Sequence, residues 1–159
     1  MPGEQYISDE EVQALIPESL RKHFAIQGLR IPVELRQYLE SVTLSLKCIE
    51  GKLDFDQLPT IGIVLNNGKH FELSCVPMIL EARLRPATMH AQFKNMCLID
   101  VAQLTTCKKA LQVCCILEEI VHAAMHVSDE DLVGQIVCLL YPHAVYSGYF
   151  ELKGGFKNL

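Results

Sequence analysis

The stretch from Thr105 to Leu140 constrains what this chain can fold into more than any other. Thr105 or Thr106 can cap a helix there, and apolar residues then recur at Ala110, Leu111, Val113, Cys114, Leu117, Ile120, Val121, Ala124 and Met125. These positions cover most of a helix's girth. A helix so apolar is stable only when protein surrounds it, so the rest of the chain must supply packing on more than one side. Ser128-Asp129-Glu130-Asp131 is a helix-start pattern, a short polar cap followed by acids. The chain is therefore expected to turn near Val127 and to restart as a helix through Leu140, with Pro142 as its stop.

The preceding residues supply that packing in two parts. Ser8-Asp9-Glu10-Glu11 reads as a capping box, opening a helix expected to run towards Gln27-Gly28 with an interruption at Pro17. Pro32 suits the first turn of a second helix, which carries Val33, Leu35, Tyr38, Leu39, Val42 and Leu46 before Gly51. The period then changes. Thr60–Leu65 reads as a strand, Asn66-Asn67-Gly68 as a turn, and His70–Val76 as the returning strand of a hairpin. The stretch from Pro77 to Pro86 fits either a helical turn or another strand, and Met96–Val101 is a short apolar run of strand length.

The order of elements is helices, a small sheet, then helices, which is an α+β pattern. One domain over residues 1–159 is expected: a helical part at 1–51, a small mixed sheet at 60–101, a buried motif helix and a following helix at 105–140, and a tail at 141–159. That tail carries Tyr141, Tyr146, Tyr149 and Phe150 and is expected to fray at Gly154-Gly155.

Charge and cysteine usage narrow the function classes. The net charge is −5, which argues against a broad nucleic-acid surface built of clustered Lys and Arg. No run approaches the roughly 20 apolar residues of a membrane span. Met1–Gln5 lacks the basic start and apolar run of a signal peptide, so a soluble, cytoplasmic protein is expected. The cysteines number seven, an odd count, with no C-x-x-C among them. They read as small buried hydrophobes of a reducing compartment, not as a zinc knuckle or redox pair. The apolar setting of Cys114 and Cys115 argues against a nucleophilic role.

One group of residues is patterned for chemistry. Glu118, His122, His126 and Glu130 fall four residues apart, so an unbroken helix would align them as one polar stripe. A helix ending near His126 would instead bring Asp129 or Glu130 back from the next helix's first turn. Ionisable groups on an apolar helix need partners, and a divalent cation would satisfy Glu118, His122 and a third ligand together. Glu119 would then stand beside the cation, where a general base must be to deprotonate a bound water.

The segment Glu118-Glu119-Ile120-Val121-His122 resembles the H-E-x-x-H helix of zincin metallopeptidases, with Glu118 in place of the first histidine. The continuation His126-Val127-Ser128-Asp129-Glu130 is similar to that of small bacterial zincin-like proteins. The resemblance spans about residues 60–141. It implies a zincin-like fold and a metal-dependent hydrolase acting on a peptide or protein. Glu119 would be the base, Glu118 and His122 metal ligands, and Asp129 the third ligand, with His126 and Glu130 as its competitors. Met96–Asp100 would be the strand that edges the cleft. Zinc is the first expectation for the cation. The extra carboxylate lowers the site's positive charge and tilts it towards manganese or magnesium. Two other readings stay open: a zincin fold kept as an inactive binding or regulatory module, and an unrelated α+β interaction domain. In the latter, Glu118 and His122 are a helix-stabilising pair, His126 complements the helix dipole, and Asp129 and Glu130 are ordinary first-turn acids. Among the remaining candidates, His143 near Tyr141 and Tyr146 could stabilise an oxyanion, while His23, His70 and His90 have no neighbour at ligand spacing.

Overall fold

The computed structural model describes residues 5–68, 70–75, 78–83, 90–93 and 95–153, and it is an α+β protein. The chain opens with α1 (Asp9–Gln13), whose capping box forms as expected: the Ser8 hydroxyl accepts from the Glu11 N–H, and the Glu11 carboxylate accepts from the Ser8 N–H. A short 3-10 turn (Glu18–Leu20) leads into β1 (Phe24–Leu29). The expected helix to Gln27 is thus replaced after Gln13. Pro17 breaks it, and from Phe24 the residues alternate, with Phe24 and Ile26 buried and Ala25 and Gln27 exposed. At Gly28 a Cβ would come within 2.9 Å of Val12, so the glycine lets α1 lie directly on β1.

Then come α2 (Arg36–Ile49), β2 (Ile61–Asn66), β3 (His70–Cys75), β4 (Met78–Arg83), β5 (His90–Phe93) and β6 (Met96–Asp100). The main sheet has the order β1-β2-β6-β5, with β1, β2 and β6 parallel and β5 antiparallel to β6. In register, Ile63 of β2 lies between Ile26 of β1 and Cys97 of β6. These residues face the core, while Val64 and Leu98 are nearly as buried on the opposite face. Burial of both faces is characteristic of parallel strands.

One expectation about pairing fails here. The turn Asn66-Asn67-Gly68 does not fold β3 back on β2, because β2 is already paired on both sides; β3 pairs with β4 instead, which also settles Met78–Arg83 as a strand. Met96–Asp100 is an inner strand of the sheet, with β5 outside it. The side chains of His70, Cys75 and His90, and the Gly154-Gly155 end, lie outside the described residues.

After β6 come α3 (Val101–Leu104), α4 (Lys109–Met125), α5 (Glu130–Leu140) and, in the tail, a hairpin of β7 (Ala144–Tyr146) with β8 (Phe150–Leu152). The N-cap of α4 is Lys108 and not a threonine; the Thr105 and Thr106 hydroxyls donate back to the carbonyls of Ala102 and Gln103. As its composition demands, α4 is buried at Val113, Cys114, Ile116, Leu117, Ile120 and Val121, packed between the sheet, α2 and α5. A polar seam crosses the α2–α4 contact. Ser41 Oγ donates to Gln112 Oε1, and Gln112 Nε2 donates to the carbonyls of Leu104 and Cys107. Among the described residues Cys48, Cys97, Cys107, Cys114, Cys115 and Cys138 are free thiols, and no single helix is long and apolar enough to cross a membrane.

Candidate acid–base and metal site

The site forms where α4 ends and α5 begins. His126 adopts the left-handed conformation (φ 53°) that terminates α4, and its N–H donates to the His122 carbonyl. A non-glycine residue in this conformation costs on the order of 1 kcal/mol. The two helices then meet at a bend of 113°. Asp129 caps α5, its Oδ1 accepting from the Leu132 N–H at 2.9 Å.

That bend folds the start of α5 over the last turn of α4. His122 Nδ1 donates to the Val127 carbonyl at 2.6 Å, which fixes a hydrogen on that nitrogen and turns Nε2 towards α5. There Nε2 lies 3.1 Å from Glu130 Oε2. The imidazole is 12% exposed and the carboxylate 65%, so the pair straddles the protein surface.

The carboxylates beneath it are shifted. Burial, reinforced by the charges of Glu118 and Glu130 and opposed by His122, pushes Glu119 up to about 7. Burial and the Glu130 charge also raise Glu118, again against His122. For His122 burial works against the cation, but the Val127 carbonyl and the charges of Glu130 and Glu119 together outweigh it, and its pKa lies above the usual value. The charge of Glu130 thus acts on Glu118, Glu119 and His122 alike.

The structure brings together some of the expected residues and not others. Glu130, not Asp129, meets His122, because Asp129 is engaged in satisfying the first turn of α5. His126 is exposed at the helix end. Among the described residues no three His, Cys, Asp or Glu side chains stand close enough together to hold a metal ion. The donors suit a divalent cation by type, one imidazole and two carboxylates, but as they stand only His122 and Glu130 meet. Two clefts lie elsewhere among the described residues: one of about 770 Å³ is lined by Leu15, Val33 and Leu39, and one of about 520 Å³ by Val12, Ala25 and Met96.

Sequence reasoning passed over Gly134. Its Cβ, were there one, would fall within 2.5 Å of the Tyr146 ring atoms Cδ1 and Cδ2. A lone glycine inside a helical pattern was the available signal. Comparisons with protein-family models, curated protein sequences and solved structures return no match, so the zincin resemblance rests on the chain's own residues.

Proposed function

We propose that the chain is a zincin-like, metal-dependent hydrolase acting on peptides, with His122, Glu130 and Glu118 as the residues that would hold a divalent cation and Glu119 as the general base. The observation that carries this reading is the half-buried Glu119, with a pKa of about 7, set beside a histidine anchored through Nδ1. A base with a pKa near the operating pH is best placed to accept a proton and pass it on. An Nδ1–H bonded to a backbone carbonyl is the usual support for a histidine that ligates through Nε2. The bound cation would supply Lewis-acid activation of water. Glu119 would take the proton from that water, and the Val127 carbonyl would hold the imidazole in place. The outer edge of β5 bears no strand among the described residues, and α4 packs beside it, so an extended peptide has an edge to pair with.

The test is metal content and activity together. Protein purified without chelator should carry stoichiometric metal and cleave a mixture of unstructured peptides. Glu119→Gln should abolish cleavage and retain the metal. Metal-free protein that takes up none of zinc, manganese or magnesium would remove this reading. The inactive binding module is the second reading, favoured by the carboxylate at Glu118 and by the unassembled third donor. On that reading no cleavage occurs, and Glu118→His, by restoring an imidazole, tightens zinc binding.

A further inference from the structure

The ring of Tyr146 is clamped. One face lies against α5 at Gly134, where any side chain would collide with it, and Phe150 of β8 packs on the ring at 5.0 Å between centroids. Phe150 in turn packs against the core, so the clamp is anchored. Gly134 is one helical turn beyond Glu130 and on the same face of α5, which sets the ring next along the helix from the His122–Glu130 pair. The carboxylates of Asp131, Glu118, Glu130 and Asp129, at the beginning of α5 and on α4, all act electrostatically on the Tyr146 phenol. The β7–β8 hairpin packs on both helices.

We propose that Tyr146 is the wall of the candidate site, a specificity-determining residue whose ring, held in place by Gly134 and Phe150, sets what can reach His122 and Glu130. The location of the site is taken from the reading above, but the wall is tested without any metal or substrate. A rigid aromatic wall admits a narrow, extended ligand and turns away a bulky one. Because the wall is a phenol and not a charged side chain, it adds no charge to a mouth already rich in carboxylates.

The experiment is the rate at which diethyl pyrocarbonate modifies His122 in metal-free protein, read by peptide mass mapping, with exposed His126 as the internal standard. Tyr146→Phe keeps the ring and should leave the His122 rate unchanged relative to His126. Tyr146→Ala should raise it several-fold. Tyr146→Leu, which keeps more of the packing, should raise it by less and serves if the alanine variant does not fold. A His122 rate that stays at the wild-type value in the alanine or the leucine variant, whichever is folded as judged by circular dichroism, overturns the wall. A faster rate in protein that binds no divalent cation would leave the wall standing and remove the hydrolase instead.

Discussion

Replacing Glu119 by glutamine should change how the protein's stability depends on pH, and the structure sets the size of the change. The carboxyl rises from its ordinary 4.5 to about 7 on folding. At ~1.4 kcal/mol per unit, holding its charged form in the folded protein costs about 3 kcal/mol. The sign follows from proton linkage. Between the two values the folded state holds the Glu119 proton and the unfolded state does not. Stability therefore falls as pH rises from 4.5 towards about 7 and levels off above it. Glu118 is raised as well and adds a loss of the same sign. His122, also raised, contributes stability that is full below its unfolded pKa and is lost as pH rises through its folded one. The wild-type protein, stripped of metal, should thus be more stable in mild acid than in mild base. Glu119→Gln keeps the shape and removes the largest part of that slope. Urea denaturation at about pH 5 should find the two proteins similar, and at about pH 8 the variant should be more stable by roughly 2–3 kcal/mol. Equal slopes in the two proteins would mean that Glu119 is not desolvated, and the base assigned to the site would lose its physical basis.

Asp129→Ala should cost about 1 kcal/mol through loss of the α5 cap and leave divalent-cation affinity, measured by calorimetry, unaltered, whereas Glu130→Gln should weaken that affinity; the reverse pattern would restore Asp129 as the ligand. Gln112→Ala should destabilise by about 2–4 kcal/mol in chemical denaturation, because it leaves the carbonyls of Leu104 and Cys107 and the Ser41 hydroxyl without their partner and opens a cavity between α2 and α4.

The elements legible in the sequence are those whose cause lies within a few residues. The Ser8–Glu11 box, the bodies of α2, α4 and α5, the restart after Ser128 and the strands β2 and β6 all follow from caps and from apolar spacing. Of the candidate site, spacing by four marked Glu118, His122, His126 and Glu130, and of these His122 and Glu130 meet, whereas Asp129, the expected third ligand, caps α5. The choice between Asp129 and Glu130 was not legible, since both belong to the same first turn and only the bend between α4 and α5 decides which of them faces His122.

By itself, then, the sequence determined an α+β chain built round one enclosed helix with an acid–histidine turn at its end. Tertiary structure alone decided that Phe24–Leu29 is a strand, that β2 pairs with β1 and β6 instead of folding back onto β3, and that a ring from the last hairpin rests on Gly134. The reason is range. Helix caps and apolar periods act over a turn or two of chain, whereas a strand's partner or a ring's resting place depends on surfaces brought together from distant segments, where burial outweighs local preference.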